Sequence, residues 1–502
     1  MRNRTSDPRC WGSALHTIGI DVGTTGLKAV VVDDGGRLVR DAAVRYPTAL
    51  AGLGAEQDAT AWWSAATAAL RRIVRPGEPV AGIAVTSQGP TMVPVDAAGT
   101  PLAPALTWAD RRATAESADL AAALPPGRNG TDPYFGTAKL LWWSRRGALT
   151  DAHAVLCANA FVVRRLTGMD SLDESTASFF TGWDSGFADP VRAAGVPVEL
   201  LGDAVTCTTV VGTVTADAAA ATGLPAGTPV AAGAIDAVGA ALEAGLLTPG
   251  DGVAEMTGFS TVSLRPVPRG THVPGMIHVR HCVPGTDLLL TAQVSTGALV
   301  DWVARVTGYD AADVLDAEVP AERPGRLALL PSLLGERTPV WDPGARGAIV
   351  GLDLDVTAGD LLLAAYEGTA LALRADLAAV DAVLGAGGPL AALGGGARSR
   401  HWPQVKADVL GREVRVPVAG HGAAHGAALL AGVATGVWPD FAAVAPTGRR
   451  TATTFAPDPD RHAAYGERLG AVQALRDHLA GPTGLTDILR RTAAPRPPRR
   501  TR

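Results

Sequence analysis

The chain has very little lysine, since Lys28, Lys139 and Lys406 are the only lysines among its 44 basic residues. In a sequence that otherwise uses arginine, these three positions suggest a need for a compact ammonium group, and chance is the alternative. Cysteine is also sparse, and the four cysteines lie far apart without a CxxC pair. This spacing indicates neither a disulfide framework nor a zinc ribbon.

A strong net charge and a long apolar run are missing as well. The formal net charge is −5 at pH 7, which argues against nucleic acid as a partner, because contact with a polyanion needs a basic face. Acidic residues and prolines interrupt the Ala- and Gly-rich stretch at 214–247, so it predicts no membrane span and no membrane partner. The start of the chain does not combine a basic segment with an apolar one, and we therefore expect a cytoplasmic protein.

Length and residue pattern predict the fold class. With 502 residues, 47% of them hydrophobic, the chain can form two large domains, each with its own core. Strand-like and helix-like patterns alternate along both halves, which predicts an α/β fold with helices covering largely parallel sheets. The segments 19–32 and 253–264 share a strand, an acidic residue, a Gly/Thr/Ser turn and a second strand. This likeness indicates an internal duplication, with two related lobes joined near residue 246.

The two ends of the chain differ from the rest in composition. Residues 1–14 are polar and irregular, which predicts a disordered N-terminal tail. Residues 481–502 finish in a run rich in proline and arginine, which predicts a basic C-terminal tail.

The sharpest motif for chemistry is DVGTTGLK at 21–28, placed between two strands. Its glycines allow a tight turn in which backbone N–H groups converge on an anion, and the hydroxyls of Thr24 and Thr25 add donors. Asp21 beside such a loop suits Mg²⁺, which prefers one or two carboxylate oxygens together with water and phosphate. A plain β-turn with a hydrogen-bonding Asp is the alternative. The chain has no GxxxxGK[ST] motif, which excludes a P-loop enzyme.

Two further strand ends carry candidate residues. Asp236 follows an apolar strand and precedes a helix, where a carboxylate can act as a general base in the crevice of an α/β fold. The alternative for Asp236 is the cap of that helix. The run Gly394-Gly395-Gly396 lies between a buried strand and a helix, where a flat ring can approach the bare backbone and the helix N-terminus favours an anion. A simple connecting loop is the alternative there.

Together these motifs resemble the FGGY carbohydrate kinases, a sugar-kinase branch of the actin/hexokinase-like (ribonuclease H-like) fold, over about residues 16–480. Within that family the chain is most similar to the xylulokinase group. The matching segments are DVGTTGLK (21–28), ALTWADRR (105–112), PYFGTAKLLW (133–142), GAIDAVGAAL (233–242), LLGERTPVWDPGARGAIVGL (333–352), YEGTALALR (366–374) and LGGGARSRHWPQVKADVLG (393–411). The resemblance implies an N-terminal lobe at 15–245 for sugar and phosphate, a C-terminal lobe at 246–480 for the nucleotide, and a central cleft.

The resemblance also implies roles for single residues. ATP and Mg²⁺ are the implied cofactors, with Asp21 and Asp236 at the metal and Asp236 as the general base. The implied contacts with ATP come from Gly23, Thr24, Thr25, Lys28, Gly258, Ser260, Gly395, Gly396, Ala397 and Ser399. The implied contacts with the sugar come from Gln88, Trp108, Asp110, Tyr134 and Asp236. Glu336 and Arg337 resemble a structural pair beneath the crevice. Relatives are often dimers, which leaves a homodimer open.

The chain departs from the family pattern at three places, and the first of them leaves the acceptor open. Gln88-Gly89-Pro90 stands where xylulokinases have Gln-Met-His and glycerol kinases have Gln-Arg-Glu. Phe259 removes a hydroxyl from the second phosphate loop, and Ala237 replaces the amide residue that often follows the general base. We expect an ATP-dependent kinase that phosphorylates a terminal hydroxyl of a ketose, most simply a ketopentose such as D-xylulose, with another sugar or a polyol as the alternative acceptor. A degenerate, non-catalytic sensor of sugar and ATP and an actin- or chaperone-like ATPase are the alternatives from other classes.

Overall fold

The computed structural model describes residues 15–125, 127–187, 189–417, 422–444 and 451–479, together with Gly484 and Ile488. The tails predicted at 1–14 and 481–502 therefore lie outside the described residues, apart from those two positions. Across the described ranges, none of the helices combines the length and the apolar character needed to cross a bilayer.

The first lobe is built on a mixed sheet with a hairpin at its centre. Across the sheet the strands are β12 (Val210–Thr213), β13 (Pro229–Ala231), β6 (Val80–Ser87), β1 (His16–Val22), β2 (Gly26–Asp33) and β3 (Leu38–Arg45), with β14 (Ala234–Ile235) also paired to β6. Strand β1 is antiparallel to β2 and parallel to β6. A tight turn at Asp34-Gly35-Gly36 joins β2 to β3, where the Gly36 N–H donates to the Asp33 carbonyl.

Both faces of this sheet are covered, and β2 shows how. Leu27, Ala29 and Val31 pack in one core with helix α1 (Ala59–Ile73), which begins after its N-cap residue Asp58. Val30 and Val32 pack in another core against helix α13 (Ala423–Ala434). Successive side chains of a strand point to opposite faces, so a strand buried on both faces is apolar throughout.

Other elements of the first lobe surround the sheet. The helices are α2 (Thr114–Ala123), α3 (Gly136–Arg145), α4 (Ala158–Thr167), α5 (Glu174–Ala177), α6 (Asp189–Ala193), α7 (Ala216–Thr222) and α8 (Asp236–Ala244). A small antiparallel sheet has the order β4 (Ala49–Ala51), β5 (Gly54–Gln57), β8 (Ala105–Leu106), β7 (Met92–Val95) and β9 (Ala154–Cys157). Strands β10 (Leu172–Asp173) and β11 (Ala204–Val205) pair in parallel.

The second lobe has its own mixed sheet. Its strands lie in the order β17 (Ile277–Arg280), β18 (Thr286–Gln293), β16 (Thr261–Pro268), β15 (Val253–Thr257), β21 (Leu390–Gly394), β22 (Val414–Pro417) and β23 (Thr451–Phe455). The helices are α9 (Thr296–Val306), α10 (Ala312–Leu315), α11 (Ala358–Leu384), α12 (Trp402–Leu410) and α14 (Pro459–Leu479), and β19 (Ala328–Leu330) pairs with β20 (Ala348–Val350). The long helix α11 ends at its C-cap residue Gly385, and α12 begins at Trp402.

The two sheets have the same core arrangement. In each lobe a hairpin, β1–β2 or β15–β16, has its first strand paired in parallel with a later strand, β6 or β21. The prediction of a duplication between 19–32 and 253–264 thus matches the structure. The prediction of largely parallel sheets is wrong, because each hairpin adds antiparallel strands, such as β2–β3 and β16–β18, to a parallel pair.

Helix α13 departs from the division of the chain near residue 246. It lies in the second half of the sequence, yet it packs against β1, β6 and α8 of the first lobe. Its contact with α8 is extremely close, since a Cβ on Gly426 would lie 1.8 Å from the Gly239 carbonyl oxygen. The first lobe is therefore completed by a segment from the end of the chain.

Candidate active site

The first hairpin loop, residues 23–26, joins β1 to β2 and is anchored from outside. The Gly23 N–H donates to the Gly26 carbonyl at 3.0 Å. The Gly23 carbonyl accepts a hydrogen bond from the Tyr46 hydroxyl at 2.7 Å, and the Thr24 carbonyl accepts one from Gln57 Nε2 at 2.7 Å. Carbonyls that are held outwards in this way are what a loop needs if its N–H groups are to face an anion.

Asp21 stands at the end of β1, with its side chain partly exposed. Thr86 Oγ1 donates to Asp21 Oδ1 at 3.1 Å, and Lys28 is the residue opposite Asp21 on β2. Burial raises the pKa of Asp21 to about 6, while Thr86 and Lys28 act in the lowering direction. The residues of segment 21–28 that were predicted to contact ATP beside Asp21, Lys28 among them, therefore all belong to the hairpin formed by β1 and β2.

Asp236 is the first residue of α8 and follows β14 directly, at the predicted strand end. It does not cap the helix, because the cap position is Ile235. Burial, followed by the charge of Asp21, raises the pKa of Asp236 to about 8, while the Ala237 N–H and Arg337 act in the lowering direction. The structure thus brings the two predicted carboxylates close enough to repel each other.

The second hairpin loop, residues 258–260, joins β15 to β16. The Gly258 N–H donates to the Ser260 carbonyl at 2.9 Å. Helix α9 begins directly against this loop, because a Cβ on Gly297 would lie 1.9 Å from the Gly258 carbonyl oxygen and the Ala298 N–H donates to the Phe259 carbonyl at 3.1 Å. The sequence analysis missed the start of α9, for which the only signal is Ser-Thr-Gly between a strand and a helix.

The glycine run after β21 lies beside the second hairpin loop. A Cβ on Gly394 would lie 2.5 Å from the Thr257 carbonyl oxygen, and one on Gly396 would lie 2.9 Å from the Thr257 side chain. Gly395 is exposed, and its nearest such contact is at 3.7 Å. Gly394 and Gly396 therefore allow close packing, whereas a Cβ on Gly395 would make only ordinary contacts.

Ser399 and Ala397 follow this run. Ser399 Oγ donates to Asp316 Oδ1 at 2.8 Å and accepts from the Trp402 N–H at 2.9 Å. These bonds join the start of α12 to the segment after α10. Ala397 is half-buried. A contact of Ser399 or Ala397 with a nucleotide stays a prediction.

Trp108 and Tyr134 form an aromatic wall beside the first hairpin loop. Trp108 Nε1 donates to Thr24 Oγ1 at 3.0 Å, which ties the wall to that loop. The Tyr134 hydroxyl donates to the Gly89 carbonyl at 3.2 Å, and burial raises the pKa of Tyr134 to about 12. The wall therefore presents ring faces and few free polar atoms.

A buried pair of glutamines connects to the same loop. Gln88 Nε2 donates to Gln57 Oε1 at 2.7 Å, and Gln57 in turn holds the Thr24 carbonyl. Gln88 Oε1 is buried without a hydrogen-bond partner. Because buried polar atoms are nearly always paired, this oxygen is a candidate acceptor for a ligand hydroxyl. Gln57 was missed by the sequence analysis, since an isolated Gln at a strand end gives no signal.

Asp110 is placed differently from the other predicted sugar ligands. Its side chain is 1% exposed, and Oδ2 accepts hydrogen bonds from the Ala55 N–H and from Arg112 Nε, both at 2.9 Å. These bonds anchor the segment after β8 to β5. A direct contact of Asp110 with a sugar stays a prediction.

Glu336 and Arg337 contact different groups, and their role as a structural pair beneath the crevice stays a prediction. Glu336 Oε1 accepts a hydrogen bond from Ser332 Oγ at 2.6 Å. Arg337 points elsewhere, with its guanidinium carbon 4.7 Å from the centre of the Trp108 ring and 5.0 Å from the centre of the Tyr134 ring. The two side chains take different directions from the loop, so only Arg337 reaches the aromatic wall.

The scarcity of lysine also points to the site. Lys139 is fully buried, and its Nζ donates to the Tyr134 carbonyl at 2.6 Å. Burial lowers the pKa of Lys139 to about 7. Lys406 is buried in the second lobe, where it forms an ion pair with Glu255 of β15. With Lys28 opposite Asp21, each of the three lysines lies beside a predicted functional segment.

The donor set fits a phosphate group with a divalent cation. Asp21 and Asp236 are two carboxylates of like charge, and the charge of Asp21 contributes to the raised pKa of Asp236, so a cation between them would relieve that repulsion. Among the described residues no cluster of three or more His, Cys, Asp or Glu side chains supplies a closed metal cage. The fit is therefore to Mg²⁺, which keeps water and substrate oxygens among its ligands.

Comparison with known proteins agrees with this geometry. Residues 16–242 match the model of the N-terminal domain of the FGGY family of carbohydrate kinases, and residues 257–435 match that of its C-terminal domain. A xylulose kinase from Streptomyces coelicolor is 36% identical over 455 residues, which cover 85% of this chain and 89% of that protein. The crystal structure of a xylulose kinase from Rhodospirillum rubrum is 32% identical, with a TM-score of 0.79, and the match covers 92% of this chain and 99% of that one.

Relatives with other acceptors are similar as well. An erythritol kinase from Brucella abortus is 30% identical over 467 residues, covering 84% of this chain and 88% of that protein. A gluconokinase from Bacillus subtilis is 28% identical over 473 residues, covering 86% of this chain and 89% of that protein. The relatives are thus named as kinases of a ketose (xylulose), of a polyol (erythritol) and of a sugar acid (gluconate).

Proposed function

Because the chain belongs to the FGGY family of carbohydrate kinases, we propose that it transfers the γ-phosphate of ATP to a terminal hydroxyl of a ketopentose such as D-xylulose. The observation that carries the proposal is the pair of partly exposed carboxylates, Asp21 and Asp236, one on each of two neighbouring segments of the first lobe. The xylulose kinases among the relatives support the choice of acceptor.

In this proposal Asp236 is the general base. It takes the proton of the acceptor hydroxyl as that oxygen attacks the γ-phosphorus in line with the leaving oxygen of ADP. Burial and the charge of Asp21 raise the pKa of Asp236 to about 8, so the carboxylate holds a proton strongly enough to be an effective base. Most of the rate would come from positioning and from electrostatic stabilisation of the transferred group.

The phosphates would lie between the two hairpin loops. Asp21 and Asp236 would hold Mg²⁺, which supplies positive charge to the phosphate oxygens. The proposed phosphate ligands are Gly23, Thr24, Thr25 and Lys28 on the first loop and Gly258 and Ser260 on the second. Gly395, Gly396, Ala397 and Ser399 are the proposed neighbours of the adenosine.

The acceptor would lie against the aromatic wall. Trp108 and Tyr134 offer ring faces to its carbon–hydrogen groups, and Gln88 Oε1 is the buried acceptor for one of its hydroxyls. Asp110 holds this wall in place through its bonds to Ala55 and Arg112. Closure of the site over the acceptor would exclude water, which would otherwise compete as the phosphoryl acceptor.

The experiment is a panel of acceptors assayed for ADP release. D-xylulose, other ketoses, erythritol and gluconate are each tested with MgATP, and ATP alone is the blank. Release that depends on a ketopentose supports the proposal. Release without any acceptor indicates an ATPase, and binding without release indicates a sensor, and either result would contradict it.

Replacement of the base tests the mechanism. Asp236→Ala and Asp236→Asn should lower kcat by about 10²–10⁴, the range for loss of a general base, while ATP binding persists. Asp217→Asn is the matched control, because Asp217 is exposed on α7. Turnover by either Asp236 variant within threefold of the wild type would remove Asp236 from the mechanism.

A further inference from the structure

Arg337 is a buried cation of which two nitrogen atoms have no hydrogen-bond partner, although Tyr134 hydrogen-bonds to the side chain. The residue is only 4% exposed. Its Nε and Nη2 atoms are buried and donate no hydrogen bond, and among the described residues no carboxylate forms an ion pair with it. A buried guanidinium with unused donors is costly, since each donor has given up water without gaining an acceptor. Such a group needs an oxygen-bearing ligand.

The loop that carries Arg337 is held rigidly. Thr338 Oγ1 accepts a hydrogen bond from the Ala292 N–H of β18 at 2.7 Å, and Trp341 Nε1 donates to the Gly275 carbonyl at 2.7 Å. The Trp341 ring packs 5.6 Å from the Phe135 ring, centre to centre. These contacts join the loop to both lobes, so the guanidinium is in position before a ligand binds, which lowers the cost of binding.

The protein groups near Arg337 leave Nε and Nη2 without a hydrogen-bond acceptor. Trp108 and Tyr134 contact the guanidinium through their ring faces, and the Tyr134 hydroxyl also hydrogen-bonds to Arg337, which satisfies the cation in part. The nearby carboxylate of Asp132 is occupied by Arg111 at 2.6 Å. The charge of Asp236 acts on the same region, but that carboxylate is the proposed base and must face the reacting hydroxyl.

The free atoms also have a definite shape. Nε and Nη2 form one edge of the planar guanidinium, and their N–H bonds run side by side. Such an edge matches two oxygen atoms on neighbouring or shared carbon, as in a carboxylate or in a carbonyl with an adjacent hydroxyl. A lone hydroxyl fills only one of the two positions, so it leaves the other donor unpaired.

We propose that Arg337 is a specificity-determining residue that binds, through Nε and Nη2, a pair of adjacent oxygens of the acceptor at the end away from the phosphorylated hydroxyl. The proposal rests on the proposed kinase function, because it assumes that the reacting hydroxyl faces Asp236. It names the acceptor class as compounds with such an oxygen pair, which are hydroxyketones such as a ketopentose or sugar acids such as gluconate, in preference to simple polyols.

The test compares acceptors in the wild type, Arg337→Met and Arg337→Lys. Arg337→Met should raise the KM for the preferred oxygen-pair acceptor by about ten- to a hundredfold, the cost of leaving a matched polar group unpaired. The KM for MgATP should change less than threefold, and kcat/KM for erythritol should fall by a clearly smaller factor than kcat/KM for the oxygen-pair acceptor. Arg337→Lys keeps the charge but lacks the fork, so it should restore less than half of the lost affinity on a logarithmic scale. Arg145→Met is the surface control, since Arg145 forms an exposed pair with Asp119.

The arms of the panel separate the two oxygen pairs. If Arg337→Met raises the KM for D-xylulose, the oxygen pair bound by Arg337 is that of a hydroxyketone. If it raises the KM for gluconate, the oxygen pair is a carboxylate. Both results support the proposal. An equal loss with every acceptor, or a loss in kcat with unchanged acceptor KM, would overturn it, because Arg337 would then act on phosphoryl transfer or on folding.

Direct binding keeps this test distinct from that of the proposed function. Acceptor binding without ATP is measured by calorimetry or by the fluorescence of the wall tryptophan, Trp108. If the wild type binds D-xylulose or gluconate without phosphorylating it, the kinase proposal fails while Arg337 is still tested by the loss of binding in Arg337→Lys. If wild type and variant bind these acceptors equally, the Arg337 proposal fails whatever the turnover.

Discussion

The two hairpin loops share a topology but differ in how their acidic residues are used. In the first lobe, Asp21 at the end of β1 is partly exposed and stands opposite Lys28 without a close ion pair among the described contacts. In the second lobe, Glu255 of β15 is fully buried and bound by Lys406 and by the Thr257 hydroxyl. The duplicated hairpin thus places its acidic residue in the cleft in the first lobe (Asp21) and in the core in the second lobe (Glu255).

The difference shows what each lobe contributes. A carboxylate that is left in the cleft near another carboxylate is available to a cation, and its raised proton affinity costs stability. A carboxylate that is neutralised by a lysine supports the backbone behind a loop, because both charges are buried and satisfied together. We therefore expect the acidic residue of the first hairpin to act in catalysis and that of the second hairpin to stabilise the structure.

The largest contrast is expected in turnover. Asp21→Asn should lower kcat by at least about a hundredfold, because a lost electrostatic contact to the reacting group costs about 10²–10³, and should also weaken the dependence of turnover on Mg²⁺. Glu255→Gln should have a clearly smaller effect on kcat when assayed well below its unfolding temperature. Steady-state kinetics over a series of Mg²⁺ concentrations measures both. Equal losses of kcat in Asp21→Asn and Glu255→Gln would contradict the proposed difference in function between the two hairpins.

The next contrast is in stability. Lys406→Met leaves the buried Glu255 without its counter-charge and should lower the free energy of unfolding by about 3–5 kcal/mol. The double variant Lys406→Met/Glu255→Met should recover most of that loss, because no buried charge remains. Urea unfolding measures both. Arg415→Met is the control, since its pair with Glu413 is exposed and is worth about 0–1 kcal/mol. A loss for Lys406→Met no greater than that for the control would show that the buried pair does not support the second lobe.

The smallest contrast is in pH dependence. The pKa of Asp21 is raised from its ordinary value to about 6 by burial, so the protonated form favours folding below about pH 4 and this advantage is lost as the pH rises through 6. Asp21→Asn removes the titration and should gain stability relative to the wild type between pH 4 and 6. The gain is at most about 1.4 kcal/mol per pH unit, the limit for one titrating group.

Urea midpoints without Mg²⁺, measured at several pH values, test this expectation, with Asp217→Asn as the exposed control. If the unfolding free energies of the wild type and Asp21→Asn changed in parallel with pH, the pKa of Asp21 would not be raised by folding, and the prediction would be wrong.

Local signals predicted the first hairpin and Asp236 well. Gly23 and the threonines beside it mark a turn between apolar strands, and Asp236 interrupts an apolar run just before a helix, so each position is readable within about ten residues of sequence. The family resemblance then implied their roles. The duplication was also visible, since the two hairpins repeat the same order of residue types.

Contacts between distant segments were not predictable in the same way. Arg337 meets Trp108 and Tyr134 only because the loop before β20 folds against the other lobe, and a single arginine in the motif GERTP carries no sign of its neighbours. The antiparallel character of the sheets was missed for a related reason, because alternating elements indicate strands but not their pairing partners.

The return of helix α13 to the first lobe has a consequence for synthesis on the ribosome. One face of β1 and β2 packs against α13 (Ala423–Ala434), and a Cβ on Gly19 would lie 1.9 Å from the Ala424 carbonyl oxygen. The N-terminal sheet therefore emerges hundreds of residues before the helix that shields it, and until then its apolar strands are exposed to water. A nascent chain that stalls before residue 423 carries that exposed apolar surface, so the demand for chaperones should last until α13 has been synthesised.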